Sequence, residues 1–189
     1  MSKHEFDSQS VEIERAAADD AEIICDIRDK AWLEAYPNAE LGITRRDIKR
    51  NAQGLNGEFV PKRVAYMKEQ FTSQKNGLTT YVARQNKTVV GYVSPSIDGQ
   101  SRPSIGALYV APEKQGMGIG TRLMEHALGL LGQDEDIFLE VVSYNNRAIQ
   151  FYERFGFVKT DTLVLEEENR PAFMKPLPQI ETVRRAVKS

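Results

Sequence analysis

The stretch with the clearest chemical content is Gln115-Gly116-Met117-Gly118-Ile119-Gly120-Thr121, in which three glycines alternate with other residues and lead into an apolar-periodic segment. Glycines in that pattern let successive backbone N–H groups converge on one point. A helix starting there adds its unpaired amides and the positive end of its dipole. The chemistry on offer is anion binding. A simple tight turn between strand and helix would use glycines in the same way, so the surroundings must decide. A triphosphate-binding P-loop fits badly, because Gly120 is followed by Thr121-Arg122 where Lys and Ser or Thr are needed. A dinucleotide fingerprint would want its third Gly or Ala at Thr121, after the first strand of a parallel unit.

A second segment runs Asn145-Asn146-Arg147-Ala148-Ile149-Gln150-Phe151-Tyr152-Glu153-Arg154-Phe155-Gly156-Phe157. By residue type alone, Asn145 is a helix cap and Tyr152 a half-buried aromatic on a short helix that Gly156 stops. Glu140 lies just upstream on a strand-like stretch. Cys25 falls between Ile24 and Asp26 on a helical pattern with no histidine nearby, and reads as core. His4 sits in a polar start and His126 on the polar side of a helix, so neither points to a base or a metal. No zinc spacing exists.

These residues need a scaffold, and hydrophobic periodicity outlines one. Val11 to Arg15 alternates as a strand, then a helix runs to about Tyr36 with Ile23, Ile27, Ala31 and Ala35 on one face, ended by Pro37. From Asn38 to Asn76, Gly42, Gly54, Gly57 and Pro61 break the pattern into two short helices and loops. Period-two stretches follow at Thr80–Ala83, Thr88–Val93 and Ile105–Ala111. Thr121 to Leu131 is an amphipathic helix, Ile137 to Ser143 a strand, Asn146 to Phe155 a helix and Phe157 to Glu166 a strand, with a last strand expected at Ala172 to Lys175. That order predicts one α/β layered domain over 1–189, with a mixed sheet, an N-terminal tail at 1–10 and a frayed basic tail at 177–189.

With the strand Leu108-Tyr109-Val110-Ala111-Pro112 ahead of it, Gln115-x-x-Gly118-x-Gly120 resembles the signature of the GCN5-related N-acetyltransferase (GNAT) superfamily, Gln/Arg-x-x-Gly-x-Gly/Ala. The second segment resembles that family's Asn-x-x-Ala-x-x-Phe/Leu-Tyr-x-x-x-Gly-Phe at every fixed position. The resemblance implies a mostly antiparallel twisted sheet of about seven strands flanked by helices. It also implies direct acetyl transfer from acetyl-CoA to a primary amine on a small molecule, a polyamine or a peptide N-terminus. In the family the loop amides hold the coenzyme A pyrophosphate, which would involve Gln115, Gly116, Met117, Gly118, Ile119, Gly120 and Thr121. The backbone of Leu108, Tyr109 and Val110 would pair with the pantetheine arm as an added strand. Asn145 would contact the pantetheine, and Tyr152 would protonate the departing thiolate.

The incoming amine needs a base, for which Glu140 is the first candidate. Many family members carry a Glu on the preceding strand, whereas Ile105-Gly106-Ala107 offers no ionisable side chain here. That departure keeps two other readings open: a non-catalytic acyl-CoA-binding or sensing module, and transfer of a different acyl group. Trp32, Glu34, Tyr36 and Glu40 lie where the family walls its acceptor pocket.

Composition narrows the partners. Lys+Arg 25 against Asp+Glu 27 gives a net charge of -2, a poor footprint for nucleic acid. One cysteine, no apolar run of membrane length and no leader-like start together predict a cytoplasmic protein with no metal. A homodimer is the default assembly.

Overall fold

The computed structural model describes residues 10–73, 79–96, 102–164 and 171–187. Along the chain run β1 (Glu12–Arg15), α1 (Ala21–Ala35), α2 (Arg45–Gln53), α3 (Phe59–Ser73), β2 (Tyr81–Gln85), β3 (Thr88–Ser96) and β4 (Ser104–Val110). Then come α4 (Ile119–Leu131), β5 (Ile137–Val142), α5 (Asn146–Glu153), β6 (Val158–Val164) and β7 (Gln179–Arg184). All seven strands belong to one sheet, ordered β1-β2-β3-β4-β5-β7-β6. Every neighbouring pair is antiparallel except β4 with β5.

Local chemistry explains several elements. The β2–β3 hairpin turns through Asn86 and Lys87, both with positive φ (51° and 65°), which matches the twist of the flanking strands. In α2, Thr44 caps the helix by accepting from the Asp47 N–H at 3.2 Å while the Asp47 carboxylate accepts from the Thr44 N–H at 2.9 Å. The sheet is covered on both faces. Val90, Val93, Leu123, Met124, Ala127, Ile149 and Phe157 form the core on the α4–α5 side. Ile24, Ile27, Val82, Val89 and Tyr92 form a second one against α1. Each of the Val, Leu, Ile, Met and Phe side chains among them contributes about 2 kcal/mol on burial.

Three expectations are corrected. The break at 38–76 is milder than read: α3 is 15 residues long and contains Pro61, which sits in the first turn, where no intrahelical N–H is needed. No strand forms at Ala172–Lys175, because Lys175 is instead clamped to α2. The expected tail at 177–189 contains β7, inserted between β5 and β6 so that Val183 pairs with Phe138 on one side and Val158 on the other. Residues 1–9 of the N-terminal tail, with His4, lie outside the described residues. No described helix is long and apolar enough to cross a membrane.

Candidate functional site

The parallel pair β4 and β5 meets at one residue pair, Ser104 with Phe138, reinforced by the Phe138 N–H donating to the Pro103 carbonyl at 2.9 Å. Beyond that point the strands share no pairing among the described residues. A bulge explains why β4 departs. Ser94 pairs with Ala107 but Pro95 pairs with Ile105, leaving Gly106 as an extra residue opposite a proline that has no N–H to give. The splay opens a cleft of about 720 Å³ lined by Ile105 to Val110, the glycine loop, Glu140 and Val141, and the start of α5.

At one end of the cleft lies the loop. Gly116 and Gly118 both have φ of +79°, a left-handed conformation that a β-carbon would strain. Gly118 caps α4, its carbonyl accepting from the Arg122 N–H at 3.1 Å, so the first-turn amides from Ile119 to Thr121 have no acceptor within the helix. Gln115, Gly116, Gly118, Gly120 and Thr121 line the cleft; Met117 and Ile119 do not. Met117 is 60% exposed and Ile119 2% exposed in the core, so each can offer only a backbone N–H. The Gln115 side-chain amide donates to the Val110 carbonyl at 3.2 Å and ties the loop to the end of β4.

Tyr152 enters from α5. Asn145 caps that helix by accepting from the Ala148 N–H at 3.2 Å, as its residue type predicts. The Tyr152 carbonyl accepts from the N–H groups of Phe155 and Phe157 at 2.9 and 3.3 Å, a turn permitted by Gly156 at φ +83°. Its ring packs between Phe151 and Phe157, with centroids at 5.4 and 6.2 Å. Burial, and secondarily the neighbouring Tyr109, hold the Tyr152 phenol well above the ordinary tyrosine range, so it stays protonated.

Across the splay is an aromatic cluster that sequence reasoning only partly anticipated. Leu108 packs toward the α4 side, while the Tyr109 side chain points to α1, where its hydroxyl accepts from Trp32 Nε1–H at 2.8 Å. The Tyr144 hydroxyl donates to the Tyr36 carbonyl at 2.8 Å. Burial foremost, then Tyr109, pushes the Tyr36 phenol well up, and burial also raises Tyr144. The side-chain roles of Tyr109 and Tyr144 went unread. Tyr144 carries no signal beyond standing next to Asn145, and Tyr109 was noticed for its backbone alone.

Glu140 is exposed, lines the cleft from β5 and pairs across the ladder with Glu181, itself held by Arg102 and Thr160. Glu34 also lines the cleft, whereas Glu40 does not. Cys25 is 1% exposed, its thiol against the Met67 sulfur at 3.6 Å, in keeping with a core residue. His126 is a correction: rather than facing solvent it is half-buried, its ring edge-on to Tyr81 at 4.5 Å, and burial lowers its pKa. Among the described residues no group of three or more His, Cys, Asp or Glu could hold a metal ion.

The wall from α1 to α3 is fastened by polar contacts. Asp29, buried on α1, accepts from Arg63 of α3 at 2.9 Å and from Gln53 of α2 at 3.3 Å, and pairs with Arg28 at 3.3 Å. Arg63 also donates to the Ala52 carbonyl at 2.7 Å. Asn51 of α2 exchanges two hydrogen bonds with the Lys175 backbone, at 2.6 and 2.9 Å, and Phe59 stacks with Phe173 at 6.1 Å. The segment before β7 is thereby drawn onto α2 and α3.

Similar proteins place this architecture. The chain is 39% identical over 87 residues to the probable N-acetyltransferase san of Drosophila melanogaster, covering 43% of this chain and 47% of that one. To N-alpha-acetyltransferase 50 of Danio rerio it is 34% identical over 83 residues, covering 41% and 49% respectively. The matched stretch thus spans about half the length of these curated relatives. In fold it is similar to the PaiA N-acetyltransferase of Thermoplasma acidophilum, solved in complex with coenzyme A, with a TM-score of 0.71 at 17% identity over 93% of this chain and 99% of that one. It is also similar to yncA of Salmonella typhimurium, a putative acetyltransferase solved with acetyl-CoA, with a TM-score of 0.63 at 20% identity over 95% of each. Residues 44–157 match the sequence profile of the Acetyltransferase (GNAT) family, and with the sheet, glycine loop and α5 segment in that arrangement the chain belongs to this family.

Proposed function

We propose that this protein transfers the acetyl group of acetyl-CoA directly to a primary amine, with a peptide α-amino group as acceptor. One observation carries the reading: the glycine loop, the free edge of β4 and Tyr152 all border one cleft, which supplies in one place the partners that pyrophosphate, pantetheine and thioester sulfur would need. Loop amides from Gln115 to Thr121 bind the pyrophosphate, Met117 and Ile119 through backbone alone. The backbone of Leu108, Tyr109 and Val110 receives the pantetheine amides as a strand would, and Asn145 borders the same channel. The Gln115 amide, which holds the Val110 carbonyl at 3.2 Å, keeps that edge aligned with the loop.

Transfer forms a C–N bond and breaks the C–S bond, so the sulfur needs a proton and the nitrogen must lose one. Tyr152 supplies the first, since burial keeps its phenol protonated; the same apolar surroundings make a bare thiolate costly. The second requirement discriminates between acceptors. At pH 7 an alkylamine with pKa near 10.4 costs about 4–5 kcal/mol to deprotonate, whereas an α-amino group with pKa near 7.7–8.0 costs only about 1 kcal/mol. A cleft whose carboxylates are the exposed Glu140 and Glu34 suits the second, with Glu140 or water accepting the proton. The names of the relatives from Danio rerio and Saccharolobus solfataricus, both N-alpha-acetyltransferases, support the same choice.

The test is thiol release from acetyl-CoA in the presence of peptides, polyamines and aminoglycosides. Release is expected with a peptide bearing a free N-terminus and is expected to vanish when that N-terminus is blocked and a lysine retained. Turnover of the blocked peptide or of polyamines alone would move the assignment to side-chain or small-molecule amines. Donor binding without release for any amine would leave a binding module.

A further inference from the structure

Four charged side chains line the cleft, and they are segregated: Glu34 comes from α1 and Glu140 from β5, while Arg147 comes from the first turn of α5 and Arg154 from its C-cap. Positions 147, 151 and 154 are four and three residues apart, so Arg147, Phe151 and Arg154 form one stripe along the helix. That stripe stands beside the anion loop, since a β-carbon added to Gly120 would come within 3.6 Å of the Phe151 ring. Arg154 lies over the same ring at 5.3 Å from its centroid.

Neither guanidinium has a carboxylate partner among the described residues, although Asp29, Asp20, Glu181 and Asp136 all have basic ones. Arg147 is also in the first turn of α5, where the helix dipole disfavours a cation. Two exposed cations lining a cleft, with no carboxylate partner among the described residues and one of them at the unfavourable end of a helix, fit an anionic ligand better than they fit the fold.

We propose that Arg147 and Arg154 bind the 3′-phosphate on the ribose of coenzyme A. The inference rests on the acetyl-CoA reading above and extends it to the far end of the donor. Loop amides satisfy the pyrophosphate, but they leave the separate monoester phosphate, which carries close to two negative charges at neutral pH, without a counter-charge. Guanidinium groups match phosphate oxygens in geometry as well as charge. The two carboxylates of the cleft come from other elements, α1 and β5.

Acetyl-CoA and acetyl-dephospho-CoA, which differ only in that phosphate, provide the test by titration calorimetry on the full chain. The wild type is expected to bind acetyl-CoA about tenfold more tightly, with the preference shrinking as salt is raised. In Arg147→Gln/Arg154→Gln the preference should fall to within about twofold, through weaker binding of acetyl-CoA and unchanged binding of the dephospho donor. Adenosine 3′,5′-bisphosphate should compete with acetyl-CoA in the wild type and lose that ability in the variant. Equal binding of both donors by the wild type, or equal weakening of both in the variant, overturns the proposal and leaves the acetyl-CoA reading standing. Binding of neither donor by a folded wild type overturns both. A thermal melt and circular dichroism distinguish a variant that has failed to fold, in which case the bisphosphate competition in the wild type decides alone.

Discussion

The two walls of the cleft are built by different means. On the α4–α5 side the loop end of the cleft is backbone: glycines at φ of +79°, first-turn amides and the edge of β4. On the α1–α3 side they are side chains held by long-range polar contacts, with Asp29 joining three helices and Asn51 fastening the segment before β7. A backbone site has its shape set by a few adjacent residues and serves a ligand that never changes. A wall assembled from side chains far apart in sequence can be altered residue by residue, which under the proposed function suits an acceptor.

That difference can be broken most severely at Asp29. Asp29→Ala leaves Arg63 and Arg28 without their shared carboxylate in a mostly buried position, and a loss of about 3 kcal/mol is expected in urea denaturation. If the walls are independent, binding of acetyl-CoA to the folded fraction should survive; its loss would show that α1–α3 also shapes the donor site.

Next in size, Tyr152→Phe is expected to slow thiol release by about 100-fold while changing donor affinity less than about twofold. Because Tyr152 acts when protonated and burial raises its pKa, the wild-type rate should climb with pH as the acceptor amine loses its proton, then stay level through pH 10. A descending limb at the ordinary tyrosine value would mean a solvated phenol, and equal rates in both proteins would remove Tyr152 from the chemistry.

The smallest effect is expected at the loop. Gly118→Ala meets no atom within 4 Å but keeps a positive φ, so it should cost about 1 kcal/mol of stability and weaken acetyl-CoA binding several-fold, leaving the turnover rate at saturation intact. A fall in turnover with unchanged affinity would place the loop in catalysis and blur the division between the walls.

Legibility in the sequence follows the same divide. The loop, the Asn145 cap and the Gly156 turn were readable because each is a short-range rule about φ, capping or helix termination. Met117 and Ile119 occupy equivalent places between the glycines, yet nothing local indicates that one side chain faces solvent and the other the core. The α1–α3 wall was the least readable, and Pro61 was weighed as a breaker because its place in a first turn depends on where α3 starts. β7 escaped notice because a short strand beside a basic run gains its stability from β5 and β6, both distant in the chain.

By itself the sequence determined the glycine loop, the cap and stop of α5, most of the helix–strand order and the family resemblance, all of which depend on neighbours within a turn or two. Only the tertiary structure decided that β4 and β5 part after Ser104, that β7 lies between β5 and β6, and that Trp32, Tyr36, Tyr109, Tyr144 and Tyr152 gather around the opening. The physical reason is range: a dihedral preference acts within a few residues, whereas a splay, an inserted strand and an aromatic cluster join surfaces that come together only when the whole core packs.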